Sequence, residues 1–240
     1  RPLGATAFKF APITRESTIE RFDWQVGGSG RITPVAVFSP VNVLGATITN
    51  ASVYNIAEIK RLNINVGSRV LVARANDVIP KILAGLDNPS GKPASAPSQC
   101  PVCGFLVEMD GEYLVCSNTA DCPAQAAGRL ERWIKALDIK EWGEVLIEKL
   151  VQSGKVKSVP DLYGLTIPAL AVVDRISEGV ADKLLKILWA KNPIPLDSLV
   201  GSLSVPGCGS STFRLLMDAG FDTWPKLRAL DASSMVKVPG

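Results

Sequence analysis

Four cysteines at Cys100-x2-Cys103-x12-Cys116-x5-Cys122 constrain this 240-residue chain more than any other feature. A two-residue loop lets the thiolates of Cys100 and Cys103 reach one ion. A second pair delivered by a hairpin completes a tetrahedron, the coordination zinc takes with four sulfurs at about 2.3 Å. Gly104 and the polar run Met109–Glu112 supply the turns such a ribbon needs. The other reading of the spacing is a pair of disulfides in a secreted protein. The CPVCG knuckle and the lack of a signal-peptide pattern favour the metal. With sulfur at all four positions no coordination site stays open, so the zinc is expected to be structural. Cys208 is left over as an ordinary thiol.

Charge divides the chain around this cluster. Residues 1–95 carry 11 basic and 6 acidic side chains, net +5, whereas residues 96–124 carry four acidic and no basic ones. The first segment therefore suits a polyanion and the cysteine segment does not. Residues 125–240 hold 15 basic and 13 acidic groups. The chain has no histidine at all, which excludes Ser-His-Asp triads, Cys-His dyads and His-ligated metals. No stretch approaches the roughly 18 apolar residues of a membrane span, and a cytoplasmic location without membrane contact is expected. The opening RPLGATAFKF reads as the interior of a longer chain or as a processed end.

Short β-rich runs occupy Ile19–Val26, Ile32–Phe38, Val41–Ile48, Val70–Ala73 and Val78–Leu83, with a turn at Gly27–Gly30. Within NASVYNIAEIKRL the apolar residues Val53, Ile56, Ile59 and Leu62 recur every three positions and predict a short helix. Five strands and one helix in about 80 residues point to an oligonucleotide-binding (OB) barrel. Residues 86–98, LDNPSGKPASAPS, read as a linker. From about residue 124 the pattern is helical.

Within that helical part, Val205-Pro206-Gly207-Cys208-Gly209-Ser210 has the form of a helix-hairpin-helix turn. Its two glycines permit a tight fold, and the free N–H groups of the next helix can hold a phosphate whatever the base sequence. Related segments precede VLIEKLVQSG, at Ile139–Glu144 with Gly143, and VADKLLKIL, at Ile176–Gly179. A further one begins at Val236. The spacing of roughly 30–36 residues predicts a tandem array. Phosphate contact is expected at Gly207, Gly209 and Gly143, and the Gly179 copy is expected to be structural.

Together these strings resemble, in order, the C-terminal half of bacterial-type NAD-dependent DNA ligases. ATAFKF (5–10) resembles the last nucleotidyltransferase motif with Lys9 at its lysine. WQVGGSGRITPVAV (24–37) and residues 46–82 resemble the OB domain, and SQCPVCG with the later cysteines resembles the zinc finger. The resemblance implies a multidomain α+β chain. Residues 1–10 would end a nucleotidyltransferase domain and 11–86 form a five-stranded OB barrel. Residues 97–124 would form a four-cysteine zinc ribbon and 125–240 an all-α hairpin array. It implies sealing of 3′-OH/5′-phosphate nicks in duplex DNA, with structural Zn²⁺ here and NAD and Mg²⁺ used by the complete enzyme. The lysine nucleophile would sit in an N-terminal portion, on the same chain or a separate subunit. Lys9 would touch the adenylate phosphate as a catalytic and cofactor-binding residue. Arg74 would bridge a DNA phosphate, and Val78 and Ile79 would press into the minor groove. For that pair, packing in the core is the competing reading, because adjacent strand residues face opposite sides.

The chain departs from the family pattern at Gly28, Tyr54 and Ala73, where Arg, His and Arg are usual. These departures point to a divergent, phage-like member or one with weakened activity, while the lack of the lysine nucleophile points to a fragment or one subunit of a split ligase. The departures also raise a second reading, a non-catalytic DNA clamp derived from a ligase, and a third, a zinc/helical interaction protein with no DNA affinity.

Overall fold

The computed structural model describes residue 4, residues 12–75, 78–203 and 209–236, and residue 238. The chain divides into two compact units, Arg1–Thr119 and Ala120–Gly240.

The first unit is built on β1 (Thr14–Val26). Its first five residues pair antiparallel with β4 (Arg69–Ala75), and the run from Ile19 to Val26 pairs antiparallel with β2 (Arg31–Val43). The changeover falls at an irregularity between Ile19 and Arg21, with the Ile19 side chain buried. There the Ile19 N–H donates to the Ser68 carbonyl at 2.9 Å and the Gly67 N–H to the Ile19 carbonyl at 2.8 Å. β3 (Ala46–Ser52) pairs with β2, β5 (Ile79–Gly85) pairs with β4, and β3 approaches β5. Inward positions alternate along the strands, with Ile32, Ala36 and Phe38 buried in one core with Val70 and Val72.

Two strand boundaries differ from the sequence expectation. β2 runs through Ser39-Pro40 instead of stopping there. Pro40 has no N–H for a ladder, and the β2–β3 register slips between Val37 and Val41 to accommodate it. The turn falls instead at Leu44-Gly45, both with positive φ (54° and 77°), as a tight hairpin requires. The last strand begins at Ile79 and continues to Gly85, leaving Val78 in the preceding turn.

The expected helix forms as α1 (Ile56–Leu62), with Ile56, Ile59 and Leu62 buried. Asn55 caps its start, its side chain accepting from the Glu58 N–H at 2.8 Å. Asn63 ends it in the left-handed region, φ 50°.

Residues 86–98 are not a free linker but a strap on this unit. Asn88 donates to the Asn63 and Lys92 carbonyls, Asn65 donates to Ser90, and the Ala94 N–H donates to the Ile64 carbonyl. Composition misleads here because the Asn and Ser side chains, though still reached by water, satisfy neighbouring polar groups of the fold. At Gly85 the chain passes so close to α1 that a Cβ would lie 2.4 Å from the Leu62 carbonyl oxygen.

The cysteine ribbon contributes β6 (Val107–Asp110) and β7 (Tyr113–Cys116). β7 pairs antiparallel with the start of β2 (Arg31↔Val115, Ile32↔Leu114), so the ribbon extends the same sheet. The Arg31 guanidinium sits 4.2 Å over the Tyr113 ring and reinforces the seam.

The second unit, among its described residues, is all helix. It comprises α2 (Pro123–Ala136), α3 (Glu144–Gln152), α4 (Val159–Tyr163), α5 (Ile167–Ala171) and α6 (Glu178–Trp189). α7 (Leu196–Ser202), α8 (Ser210–Asp218), α9 (Trp224–Arg228) and α10 (Ala232–Met235) follow. Leu130, Trp133, Ile147, Leu150, Leu162 and Leu184 lie at the core. α2 packs on α3, α5 on α6, and α7 on α8.

Replacing Gly85 with alanine should destabilise the first unit by about 1–3 kcal/mol, since carbonyl oxygen and Cβ cannot share that space. Chemical denaturation would register it as a lowered midpoint with an unchanged slope.

Candidate functional site

The four cysteines converge. Cys100 opens a tight turn in which its carbonyl accepts from the Gly104 N–H at 2.9 Å and its N–H donates to the Phe105 carbonyl at 2.7 Å. Gly104 is left-handed, φ 70°, which closes the knuckle without strain. Cys116 ends β7, its N–H donating to the Gly30 carbonyl of the β1–β2 turn at 2.8 Å. Cys122 is the N-cap of α2, where the helix dipole favours a thiolate. All four sulfurs lie within 4.8 Å of one another, and three of the residues are buried. Sulfurs at about 2.3 Å from a zinc would stand about 3.8 Å apart. Cys103 Sγ lies 3.5 Å from Cys116 Sγ, far beyond the roughly 2.05 Å of a disulfide. The donor set, its spacing and its burial fit a closed four-sulfur metal site.

A second cluster gathers where β2–β3 and β4–β5 turn. Arg74, half-buried in β4, spans both turns: Nε donates to the Val78 carbonyl at 3.4 Å and Nη1 to the Leu44 carbonyl at 3.3 Å. Val78 is 67% exposed and Ile79 59%. Core packing is therefore not their role. Val78 sits in the turn and Ile79 opens the strand, so the alternation that would bury one of them has not begun. Beside them a groove of about 270 Å³ is lined by Ala46, Thr47, Asn50, Arg74 and Pro80. Of the departures noted above, Ala73 is 1% exposed and offers no surface contact. Gly28 lies in the β1–β2 turn, and Tyr54 stands half-exposed in front of α1.

Three helix pairs of the second unit, α2–α3, α5–α6 and α7–α8, correspond to the three glycine segments of the sequence. Gly143 caps α3 and Gly209 caps α8, neither with a side-chain cap, and a Cβ at either would meet open space. At the middle pair the equivalent residue is Ser177, whose Oγ accepts from the Val180 N–H at 3.4 Å, while Gly179 falls inside α6. The first two pairs are joined alike. Glu141 and Arg175, each two residues before its cap, are left-handed at φ 66° and 67°. Their ion pairs cross over: Lys149 of α3 reaches Asp174 at 3.2 Å, and Lys183 of α6 reaches Glu141 at 2.6 Å. Trp142 donates its indole N–H to the Leu184 carbonyl at 3.0 Å. A cavity of about 360 Å³ lies between the two copies.

At the third pair α7 and α8 touch through backbone: a Cβ on Gly201 would stand 2.6 Å from the Ser210 nitrogen. Asp197 on α7 accepts from Arg214 on α8 at 3.0 and 3.2 Å. Neither Gly201 nor Asp197 is marked by the sequence patterns. Lys9, Gly207 and Cys208 lie outside the described residues.

Comparison with known proteins now bears on this arrangement. The model of the NAD-dependent DNA ligase OB-fold domain matches residues 16–92. The chain is 42% identical over 240 residues to the DNA ligase of Sorangium cellulosum, covering 100% of this chain and 35% of that protein. It is 35% identical over 239 residues to the DNA ligase of Treponema denticola, covering 99% of this chain and 37% of that protein. Over 217 residues it is 38% identical to the DNA ligase of Halorubrum lacusprofundi, covering 90% and 31% respectively. Residues 16–92 match the OB-fold domain of NAD-dependent DNA ligases, and over its whole length the chain is similar to a part of these DNA ligases. It spans about a third of the length of these ligases. Among the described residues no helix is long and apolar enough to cross a membrane.

The Arg214 guanidinium holds the Asp197 carboxyl below the ordinary carboxylate range, chiefly through their hydrogen bonds. Because the folded value is depressed, this stabilisation is present above about pH 4 and is lost as pH falls below it. Asp197→Asn should cost the α7–α8 hairpin about 0.5–1 kcal/mol near pH 7 and flatten the acid limb of a stability–pH curve. A curve in the variant that keeps the wild-type acid limb would remove Asp197 from this role.

Proposed function

We propose that this chain is the DNA-gripping portion of an NAD-dependent DNA ligase that seals 3′-OH/5′-phosphate nicks in duplex DNA. The observation that carries this is the exposed Val78–Ile79 pair, held out by Arg74 on a ligase-type OB domain. Two apolar side chains kept in water on a braced turn contribute little to folding and make a good wedge for a minor groove. The net +5 of residues 1–95 supports the same partner.

On this reading β1–β5 close into a five-stranded barrel and the three helix pairs are helix-hairpin-helix elements. Gly143 and Gly209 leave bare helix N-termini for backbone phosphates. α8 is the better of the two, because its first turn has no acidic residue whereas α3 begins with Glu144. The self-capped α6 keeps the middle copy structural, in line with its Ser177 cap. The boundaries 1–10, 11–86, 97–124 and 125–240 remain our division into functional parts.

Cys100, Cys103, Cys116 and Cys122 would hold one Zn²⁺, which supplies structural cross-linking and no open position for chemistry. A cluster of four thiols is what a reducing compartment preserves, which supports a cytoplasmic location. Sealing itself would need the nucleotidyltransferase portion with its lysine nucleophile, NAD and Mg²⁺. Lys9 would place its ammonium at the adenylate phosphate, where charge neutralisation and positioning carry such transfers.

The test is a nick-sealing assay with NAD or ATP, using the chain alone and with a nucleotidyltransferase portion from the same source. Sealing is expected only with both portions and NAD, and Lys9→Ala should abolish it. Val78→Ala/Ile79→Ala should weaken nicked-duplex binding about tenfold or more while leaving the melting temperature unchanged. Salt-sensitive binding without sealing under any combination would instead favour a non-catalytic clamp.

For the metal, elemental analysis of freshly purified protein should return one zinc per chain. Stripping it with chelator should unfold the ribbon around residues 98–122, read as loss of amide protection there. Much less than one zinc, or a ribbon indifferent to chelator, would overturn the assignment.

A further inference from the structure

The stripe that begins at Val78 and Ile79 does not end there. Residues of β5 alternate between faces, so Ile79 and Lys81 share the outward face while Ile82 turns into the core. The Lys81 ammonium lies 5.9 Å from the centroid of the Tyr54 ring. Among the described residues no carboxylate is within ion-pair distance of Lys81. The nearby Glu58 is engaged by Arg61 in two hydrogen bonds of 2.7 Å. Tyr54 is 49% exposed, and its backbone is left-handed at φ 59°, a conformation an aromatic residue rarely adopts. That backbone forms the centre of a γ-turn, the Asn55 N–H donating to the Val53 carbonyl at 2.6 Å and the Tyr54 N–H to Ser52 Oγ at 3.2 Å. Tyr54 is a strained aromatic that buries only half its surface, which folding alone does not reward.

We propose that the duplex-binding surface of the OB domain extends from Val78 and Ile79 along β5 to Lys81 and Tyr54. Lys81 takes a backbone phosphate and the Tyr54 ring lies against the adjoining deoxyribose. This rests on the DNA reading above. The cation over the ring keeps both side chains in place before DNA arrives, and the flat ring face offers apolar contact without reading sequence. The footprint stops at the acidic ribbon turn, where Glu112 accepts a hydrogen bond from Asn55 at 3.4 Å. A carboxylate there repels the next phosphate.

The experiment measures binding of the 240-residue chain to a labelled nicked duplex by fluorescence anisotropy between about 50 and 200 mM salt. Tyr54→Gly is the informative variant, because glycine adopts a left-handed φ freely. It should keep or raise the melting temperature while weakening binding roughly 3–10-fold. Tyr54→Asn, which also tolerates the left-handed region, is the second probe and should behave alike. Lys81→Ala should weaken binding and reduce the slope of log K against log salt by about 0.9, one phosphate's worth. Wild-type binding by all three variants, with Val78→Ala/Ile79→Ala still impaired, would overturn the extension alone. Loss of thermal stability in step with binding in both Tyr54 variants would make the ring structural and also overturn it. Failure of the unmodified chain to bind the nicked duplex would overturn the underlying DNA reading together with the extension.

Discussion

The bend in β1 at Ile19 is the constraint on which the first unit depends. One 13-residue strand serves two partners, β4 along its first part and β2 along the rest. A straight strand would leave the β2–β3 and β4–β5 hairpins side by side in one open sheet. The bend carries them around so that β3 approaches β5, and their turns meet. Only then can one guanidinium, that of Arg74, tie Leu44 to Val78. The exposed apolar pair is thus a product of strand geometry far from it in sequence. Removing Arg74 would loosen the exposed pair as well as remove a charge.

The same sheet gives the ribbon its footing. β7 adds to the edge of β2, and the Cys116 N–H reaches the Gly30 carbonyl in the turn that starts β2. Cys116 is therefore positioned by the OB sheet, not by the ribbon's own few residues. So short a hairpin has little core of its own, and pairing with an existing sheet supplies what it lacks. This also disposes of the edge that β2 would otherwise present there.

What can be read without the structure follows the range of the interactions involved. The cysteine cluster and α1 are legible, because Cys spacing and the three-residue apolar recurrence act within short stretches of chain. The register slip at Ser39-Pro40 is not, since a proline can either stop a strand or be stepped over, and only pairing with β3 decides. The strap over 86–98 escapes notice because the same Asn and Ser side chains serve loops and brace backbone alike. The β7–β2 seam joins segments far apart in sequence and leaves no local trace. In the helical unit the glycine turns are visible. The crossed pairs Lys149–Asp174 and Lys183–Glu141, and the internal cap Ser177, emerge only when the helices are placed in space.

Glycine carries two opposite meanings in this chain, and separating them orders the candidate contacts. Gly85 and Gly201 are dictated from within: a Cβ at either would collide with backbone at 2.4–2.6 Å. Gly143 and Gly209 are not. Their φ values of −75° and −109° suit any residue, and the space beyond them is open. A Ser, Thr or Asp at either position would cap its helix and stabilise it, as Ser177 does for α6. Each bare cap leaves helix N–H groups without a side-chain cap, the feature the proposed phosphate contacts would use. Electrostatics then ranks them, for Glu144 already answers the dipole of α3, whereas the first turn of α8 is Ser210, Ser211 and Thr212. On the proposed reading an anion at Gly209 would meet no competing charge in that turn, whereas one at Gly143 would meet Glu144.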